Sequence, residues 1–466
     1  MIPTFAVVGH PNKGKSSIVA TLAEDDGITI GPVPGTTRRA HHYTLSVNGE
    51  AQYVLVDTPG FQRARAVLDW LQARSRSASE RPGLVAEFLR SHQHDDRFRD
   101  ECELLKPIVE GAGILYVVDG AKPYGAEYEI EMQVLQWTGK PRMALVNLIG
   151  PGDHVHAWRQ ALDQYFSIVR VFDAVNADFD NRLALLRGFG ELDEDWRDAI
   201  AKAVTALEAD RAARRGRSAA EIAACLLDSL ELSQQAALAE GEDSAELKHR
   251  LTATLQERLR RRERRSRAAV QSLYRHQGLP LEEAAAELLD TDLFTAEGWQ
   301  LFGLSRTQLA LSGALTGAVA GGGIDALLGG ASMLLGTGIG ALLGGASGWL
   351  GGQEIAKIKI LGETLGGRVL RVGPVRSANF PWVLLGRAWV HHQLVAERNH
   401  ARREVISSTI AADEHLMDAL PDSLRRGFGA LLRKIRRSGA AAAPREALVQ
   451  RIGEMLEHSP GVDGKL

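Results

Sequence analysis

The chain has 466 residues, of which 24% are charged, and its formal net charge is -3 at pH 7. Several domains fit into that length, since one domain typically holds about 100 to 150 residues. The near-neutral charge is that of an ordinary soluble surface and gives no global reason to expect nucleic acid as a partner. Its two cysteines, Cys102 and Cys225, have no metal-ligand spacing around them, so neither a disulfide framework nor a zinc site is expected.

The first apolar run, Phe5–Val8, leads into Gly9-His10-Pro11-Asn12-Lys13-Gly14-Lys15-Ser16-Ser17, which opens a stretch of helix-forming residues. This is a complete phosphate-binding loop in a strand-loop-helix setting. Its glycines let successive N–H groups point at a phosphate, and the N-terminus of the following helix adds positive potential. We expect Lys15 to bridge the β- and γ-phosphates and Ser16 to bind Mg²⁺. The alternative is an ordinary glycine-containing turn.

Two shorter motifs downstream supply the remaining parts of the predicted site. Gly35-Thr36-Thr37-Arg38 lies in a loop-like segment, and the apolar strand Val54–Val56 ends in Asp57-Thr58-Pro59-Gly60. A threonine hydroxyl can complete the Mg²⁺ shell, Asp57 can hold the metal through water, and the Gly60 amide can reach the γ-phosphate. Loss of that phosphate removes the contacts that order both loops, which predicts a nucleotide-dependent switch.

Together the three motifs resemble the Era/TrmE-like bacterial GTPases, whose loop reads G-x-P-N-x-G-K-S, followed by G-T-T-R and D-T-P-G; the resemblance covers residues 1–180. It implies an α/β P-loop GTPase domain with a mostly parallel six-stranded sheet and helices on both faces. It also implies GTP and GDP as ligands, Mg²⁺ as cofactor and GTP hydrolysis. The implied metal ligands are Ser16, Asp57 and Thr37, with Thr36 as the alternative to Thr37. The oligomeric state stays open, and G-domain dimerisation is one option.

The residue after Gly60 is Phe61, where many small GTPases have a glutamine that orients the attacking water. Phe61 cannot do that, and Gln62 starts from a different backbone position. Relatives with an apolar residue there often use K⁺, and Asn12 occupies the matching position in the loop. A K⁺ ion between the α- and γ-phosphates would stabilise the charge of the transferring phosphoryl group. The alternative is that Asn12 only caps the loop. The expected catalytic residues are Lys15, Asn12, Thr37 and Gly60.

The guanine-reading motifs depart from the family pattern. The family has N-K-x-D after the fifth strand, whereas the predicted strand Arg142–Val146 runs into Asn147-Leu148-Ile149-Gly150. Asp153 reaches the base only if the loop bulges, and Asp173-Ala174 stands where the family has serine-alanine. GTP is still favoured over ATP, because the switch sequences belong to the GTPase side of the P-loop class. The expected nucleotide-binding residues are Gly9, Pro11, Asn12, Lys13, Gly14, Lys15, Ser16, Ser17, Thr36, Asp57, Gly60, Asn147, Asp153 and Ala174.

The pattern predicts a GTPase domain over residues 1–185, followed by a mainly α-helical C-terminal region. An enlarged switch-II insertion occupies residues 61–112, and its apolar residues, such as Val67 and Leu71, recur at helical intervals. This insertion presents either a partner surface that changes with the nucleotide or a solvated helical surface. The predicted divisions of the remaining chain are a helical region over 186–300, a glycine-rich hairpin over 301–352 and a C-terminal helical domain over 353–466.

Long helical runs begin near Glu194 and continue through Ala224 into the 250s, where seven arginines cluster between Arg258 and Arg267. Such a helix can contact anionic lipid or nucleic-acid phosphate. The alternative is a solvated face paired with nearby acidic residues such as Glu282, Glu283 and Glu287. A second basic cluster lies between Arg425 and Arg437, and the apolar residues between its arginines indicate an amphipathic helix. Contact with a membrane surface and docking onto the protein's own helices explain this pattern equally well.

From Leu309 to Gly352 the only charged residue is Asp325, and glycines recur every fourth residue. Smooth faces of this kind favour close helix packing in membranes, so two apolar helices in a membrane hairpin are the leading expectation. The alternative is a buried glycine-zipper hairpin in a soluble helical domain. The N-terminus enters the first strand almost directly, so no signal peptide is expected. The expected location is therefore cytoplasmic, peripheral to or inserted in the inner membrane.

These patterns predict a GTP-hydrolysing switch that couples nucleotide state to association with a membrane or membrane protein. One alternative is a ribosome- or RNA-associated assembly GTPase whose arginine cluster contacts phosphates, although no RNA-binding fold signature is evident. Another is a nucleotide-bound scaffold with little turnover, which Phe61 and the absent Asn-Lys-x-Asp motif allow.

Overall fold

The computed structural model describes residues 2–24, 39–275, 293–294, 302, 354–360, 363–397, 416–439 and 444–458. It divides into two compact units, one of residues 1–212 with 397–404 and the other of residues 213–396 with 405–466. The segment with Thr36 and Thr37 and the glycine-rich segment from Leu309 to Gly352 lie outside the described residues, and what was predicted for them stays a prediction.

A six-stranded sheet forms the centre of the first unit, with the strand order β2-β3-β1-β4-β5-β6. All neighbouring strands are parallel except β2 and β3, which form an antiparallel pair. The predicted mostly parallel six-stranded sheet is therefore confirmed. Its strands are β1 (Thr4–Val8), β2 (His41–Val47), β3 (Glu50–Asp57), β4 (Gly113–Asp119), β5 (Arg142–Asn147) and β6 (Ile168–Phe172).

Helices cover both faces of this sheet, as predicted. Alternate residues of β1 show why: Phe5 and Val7 belong to one apolar cluster, whereas Ala6 and Val8 belong to another on the opposite face. The first cluster includes residues of α1, α7 and α8, and the second includes residues of α2 to α6. The helices are α1 (Lys15–Ala23), α2 (Ala64–Gln72), α3 (Arg81–His92), α4 (Arg99–Val109), α5 (Glu127–Trp137), α6 (Val155–Leu162), α7 (Phe179–Gly190) and α8 (Glu194–Glu231).

Residues 61–112 contain the three helices α2, α3 and α4, in agreement with the helical spacing of their apolar residues. Val67, Leu68 and Leu71 of α2 are buried in the same cluster as α4 and α5. The buried stripe therefore packs this insertion into its own unit. Whether its exposed side meets a partner stays a prediction.

The second unit contains the part of α8 from Ala213 onward and is mainly helical, as predicted. It also holds a three-stranded antiparallel sheet in the order β7-β9-β8, in which Gln234 pairs with Val372. The predicted long helical runs from Glu194 into the 250s are present as two helices, Glu194–Glu231 and Ser244–Leu273, but a strand that was not predicted lies between them. The remaining elements are β7 (Gln234–Leu238), α9 (Ser244–Leu273), β8 (Glu354–Ile360), β9 (Glu363–Val372), α10 (Phe380–Ala396), α11 (Asp422–Ser438) and α12 (Arg445–Met455).

Helix α11 carries the second basic cluster and has a buried apolar stripe. Leu424, Phe428, Leu432 and Ile435 lie in the core of the second unit, whereas basic residues such as Arg437 are exposed. Docking onto the protein's own core therefore accounts for the apolar side of α11. Within the described part of the chain, no helix combines the length and apolar character that a membrane crossing requires.

Candidate functional site

The loop between β1 and α1 adopts a conformation that its glycines make possible. Gly9 has φ 143° and Gly14 has φ 79°, in the region that side chains rarely adopt. A Cβ at Gly9 would lie 2.4 Å from the Val117 carbonyl oxygen, and one at Gly14 would lie 2.2 Å from Asn147 Nδ2. Larger residues are thus excluded at both positions, so the loop lies directly against β4 and the end of β5.

Lys15, the first residue of α1, is buried within this loop. Its ammonium group donates hydrogen bonds to the carbonyl oxygens of His10, at 3.0 Å, and Gly9, at 3.3 Å. Burial lowers the pKa of Lys15 from 10.5 to about 8, against the opposing effect of the Asp57 and Glu131 carboxylates. A charged lysine is therefore costly here until an anion enters the loop.

Ser16 and Asp57 come together at the same end of the sheet. The Ser16 hydroxyl donates to Asp57 Oδ2 at 2.9 Å. Asp57 is buried at the end of β3, and the neighbouring Thr58 hydroxyl donates to the Val7 carbonyl oxygen at 2.8 Å. A hydroxyl and a carboxylate are hard oxygen donors of the kind that Mg²⁺ prefers, so this pair fits the predicted metal.

The glycine that ends the Asp57-Thr58-Pro59-Gly60 motif lies against the loop. A Cβ at Gly60 would stand 2.6 Å from the Pro11 nitrogen, so only glycine allows this approach. The next residue, Phe61, is 2% exposed and belongs to the apolar core of the unit. Its ring is therefore a packing group, in agreement with the prediction that it does not orient water.

Asn12 sits at the exposed tip of the loop with φ 59°. Asparagine adopts this left-handed conformation more readily than most residues, which explains the residue type through the backbone alone. Its side chain makes no hydrogen bond to the residues that the structure describes. The alternative in which this side chain caps the loop therefore gains no support from the geometry.

Asn147, one of the residues predicted to bind the base, connects the phosphate loop to the segment that follows β6. Its Nδ2 donates to the Lys13 carbonyl oxygen at 3.3 Å, and its Oδ1 accepts the Ala174 amide at 3.1 Å. The Thr21 hydroxyl of α1 donates to the Ala174 carbonyl oxygen at 2.6 Å. Two of the predicted base-binding residues, Asn147 and Ala174, thus lie beside the phosphate loop.

The two aspartates of this region are bound to their own loops. Asp153 is exposed, and its carboxylate accepts the Val155 amide at 3.3 Å, where α6 begins. Asp173 accepts the amides of Val175 and Asn176 at 2.9 and 3.0 Å. The structure therefore gives Asp153 a role at the start of a helix and does not bring its carboxylate to Asn147.

Five charged or polar side chains around the loop form pairs that were not predicted from the sequence. Lys13 Nζ, buried, lies 3.9 Å from Asp119 Oδ2 at the end of β4. His10 Nδ1 lies 2.8 Å from Glu131 Oε1, and the Tyr116 hydroxyl donates to Glu131 Oε2 at 2.9 Å. Asp119 follows an apolar strand, which was an available signal. Glu131 lies within an ordinary amphipathic helix and gave none.

Comparison with known protein families finds two matches in succession along the chain. A family model described as "50S ribosome-binding GTPase" matches residues 4–148. A second, described as "Domain of unknown function (DUF3482)", matches residues 159–453. The phosphate loop, Asp57 and Asn147 all fall within the first match.

Two curated relatives and one solved structure are similar to parts of this chain. A GTPase Der from Pseudothermotoga lettingae is 48% identical over 61 residues, which are 13% of this chain and 14% of that protein. A GTPase Der from Mycoplasma pneumoniae is 29% identical over 143 residues, or 31% of this chain and 26% of that protein. Aquifex aeolicus Era bound to GDP and aluminium fluoride is 18% identical with a TM-score of 0.28, covering 40% of this chain and 55% of that one.

Proposed function

We propose that this chain, which belongs to the DUF3482 family and carries an N-terminal P-loop domain of the GTP-binding GTPase class, is a Mg²⁺-dependent GTP-hydrolysing switch. The observation that carries the proposal is the convergence of Lys15, Ser16 and Asp57 where β1 and β3 end and α1 begins. A buried ammonium, a hydroxyl and a carboxylate at a helix N-terminus are what a metal-bound polyphosphate requires. The narrower Era/TrmE-like assignment is part of this proposal.

In the proposed function, the loop amides and Lys15 bind the phosphates. The Lys15 ammonium, now hydrogen-bonded to the carbonyl oxygens of Gly9 and His10, would turn to the β- and γ-phosphate oxygens. Two anionic oxygens stabilise an ammonium better than two carbonyls do. The Gly60 amide, whose residue packs on Pro11 of the loop, would donate to the γ-phosphate and so distinguish GTP from GDP.

Ser16 and Asp57 would hold Mg²⁺, with Thr37 or, alternatively, Thr36 completing the set. The ion would neutralise charge on the phosphates when bound. This chain's own part is to keep hydroxyl and carboxylate within 2.9 Å of each other, so that both can serve one ion.

The proposal also includes a preference for guanine over adenine. Two observations support it: the match to a GTPase family model and the position of Asn147 and Ala174 beside the phosphate loop. Asp153 would contribute only if its loop rearranged, since its carboxylate now binds the Val155 amide. Competition of GDP and ADP for the loaded site tests this directly. Equal affinity for the two nucleotides would contradict guanine preference.

A direct test is release of phosphate from GTP by the full chain, compared with Ser16→Ala. Loss of the hydroxyl removes a proposed Mg²⁺ ligand and is expected to lower Mg²⁺-dependent turnover by about tenfold or more, because the ion would no longer be held against the phosphates. Ser79→Ala, at an exposed position in the 61–112 insertion, is the matched control. Absence of turnover in the unaltered chain, with nucleotide still bound, would instead support the alternative of a scaffold with little turnover.

K⁺ stimulation through Asn12 is a further part of the proposal. Phe61 is buried and cannot orient the attacking water, and Asn12 is exposed at the tip of the loop, where it would hold a K⁺ ion that stabilises the developing charge. Hydrolysis is expected to be faster in KCl than in NaCl at equal ionic strength, and Asn12→Ala should remove the difference. Equal rates in both salts would contradict a K⁺ requirement.

The nucleotide state is proposed to control association with a membrane or membrane protein. This rests on the apolar composition from Leu309 to Gly352 and on exposed arginines of α9 such as Arg258, Arg261 and Arg265. A second candidate is a ribosome- or RNA-associated GTPase, which the family description "50S ribosome-binding GTPase" favours.

Flotation with anionic vesicles, in GDP and in a GTP analogue, separates these candidates. We expect nucleotide-dependent flotation of the full chain. Co-sedimentation with ribosomes in the absence of flotation would instead favour the second candidate. The finer division of residues 186–466 at 300 and 352 stays part of the proposal and is tested by limited proteolysis.

A further inference from the structure

Helix α4 carries two glutamates whose carboxylates bind main-chain amides of the two segments expected to sense the γ-phosphate. Glu101 Oε1 accepts the amides of Gln62, at 3.0 Å, and Arg63, at 2.5 Å. Glu103 Oε2 accepts the Ala40 amide at 3.0 Å. Gln62 and Arg63 follow Gly60 directly, and Ala40 lies three residues after Thr37 in the sequence. One helix therefore holds the chain next to both predicted switch motifs.

The environment of Glu101 makes this contact specific. Its side chain is 1% exposed, and a carboxylate so buried is costly unless it is hydrogen-bonded. Both donors at its Oε1 are main-chain amides, so the contact fixes the backbone independently of which side chains stand at positions 62 and 63. The contact is also charge-assisted, which makes it stronger than a neutral hydrogen bond.

The segment from Gly60 to Arg63 is thereby held at three successive points. Gly60 packs on Pro11 of the phosphate loop, Phe61 is buried in the core, and the next two amides bind Glu101. Because Gly60 lies between the loop and these anchors, little freedom is left in the direction of its N–H. A donor fixed before the reaction stabilises a developing charge better than one that must be reoriented.

We propose that Glu101 is a positioning residue for the γ-phosphate, acting through the backbone of residues 60–63, and that Glu103 supports it through Ala40. The inference rests on the proposed function, since it assigns a role in GTP recognition and hydrolysis. Glu101 does not touch the nucleotide. It fixes the direction of the Gly60 amide that does.

The test compares Glu101→Ala with Glu101→Gln in the full chain, measuring single-turnover GTP hydrolysis and the affinities for a GTP analogue and for GDP. Glu101→Ala is expected to lower the rate about tenfold and the affinity for the GTP analogue about fivefold, because misplaced groups lose much of their effect. GDP has no γ-phosphate, so its affinity should stay within about twofold on the same argument. Glu101→Gln keeps an acceptor oxygen and should recover part of both losses.

Two controls separate positioning from folding. Glu87→Ala, on the exposed side of α3, removes a carboxylate without a switch contact and should change nothing. Thermal unfolding of each variant reports folding. If Glu101→Ala lowers GDP and GTP-analogue affinity equally, or leaves the rate and the ratio of affinities unchanged, the inference is wrong. If the unaltered chain shows no hydrolysis, the proposed function fails, while the ratio of affinities still decides the role of Glu101.

Discussion

Buried charge is arranged differently around the phosphate loop of the first unit and between helices α9 and α10 of the second. In the first unit, Lys13 lies 3.9 Å from Asp119, and Lys15 is hydrogen-bonded to main-chain carbonyls. In the second unit, the Glu263 carboxylate is 2.6 Å from Arg387 and 2.5 Å from Arg267. The buried ammonium of Lys15 therefore has no carboxylate in direct contact among the described residues, whereas the Glu263 carboxylate contacts two arginines.

The pKa values of the two centres point in the corresponding directions. Burial raises the pKa of Glu263, but Arg267 and Arg387 outweigh burial and hold it below its usual value. For Lys15, burial dominates and the pKa falls to about 8. The buried charge of Glu263 is therefore neutralised by its own arginine neighbours, whereas an anion beside Lys15 would be needed to favour its charged form. This difference supports the assignment of ligand binding to the loop and of a structural role to the cluster.

The largest expected effect comes from breaking the ionic cluster. Glu263→Ala leaves Arg387, which is 3% exposed, without this carboxylate, and such a loss typically costs about 3 to 5 kcal/mol of unfolding free energy. Urea unfolding followed by tryptophan fluorescence measures it, because Trp382 and Trp389 are buried in the same unit. Since the folded pKa of Glu263 is depressed, its contribution is present above the ordinary carboxyl pKa and is lost as the pH falls through the folded pKa.

The matched control is Glu257→Ala on the same helix. Glu257 pairs with Arg264 and Arg260 near the surface, and exposed pairs of this kind contribute no more than about 1 kcal/mol. Equal losses for Glu257→Ala and Glu263→Ala would show that burial of the cluster does not set its strength. That result would remove the contrast between the two units.

The second largest effect is expected from substitution of Lys15, which should not lower the free energy of unfolding of the nucleotide-free protein. Lys15→Met removes a buried cation that no carboxylate contacts closely, so the nucleotide-free protein should unfold at an equal or higher urea concentration. Affinity for GTP should nevertheless fall by about a hundredfold, because charge-assisted bonds to phosphate are lost. Unfolding with and without GTP measures both results. Lys106→Met, at an exposed position of α4, should change neither, and a destabilised Lys15→Met variant would contradict the account.

The part of the site that could be predicted from the sequence is the part built from local segments. The loop from Gly9 to Ser17 and the Asp57–Gly60 motif each contain their own chemistry, so their spacing predicted the Ser16–Asp57 pair that the structure brings together. The roles of Glu101 and Glu131 were not predictable. Glu101 binds the Gln62 amide, about 40 positions away along the chain, and Glu131 contacts His10, which is more distant still. The apolar spacing of a helix predicts its buried face but not such distant polar partners.

In the second unit, a strand that depends on a distant pairing partner was likewise not predictable from the sequence. Helical periodicity on both sides of Gln234 predicts helix there, yet β7 pairs with β9 across 130 residues of chain. Strand propensity depends on the pairing partner more than helix propensity does, so an alanine- and glutamine-containing strand has no clear signature. The arginine cluster likewise has partners on α8, where Arg262 pairs with Glu221 and Asp228.

The smallest expected effect is proton uptake when a nucleotide binds. It tests only the phosphate loop of the first unit and not the Glu263 cluster of the second. Without nucleotide the pKa of Lys15 is about 8, below its ordinary 10.5, and bound phosphates should raise it again. Between these two values the free protein lacks a proton that the complex carries, so GDP binding takes up a proton and weakens as the pH rises. Below that window Lys15 is already charged and uptake is small. Calorimetry in buffers of different ionisation enthalpy should therefore show greater uptake at about pH 9 than at about pH 7. The same uptake in Lys15→Met would assign the proton to another group and break the link between burial of this lysine and ligand binding.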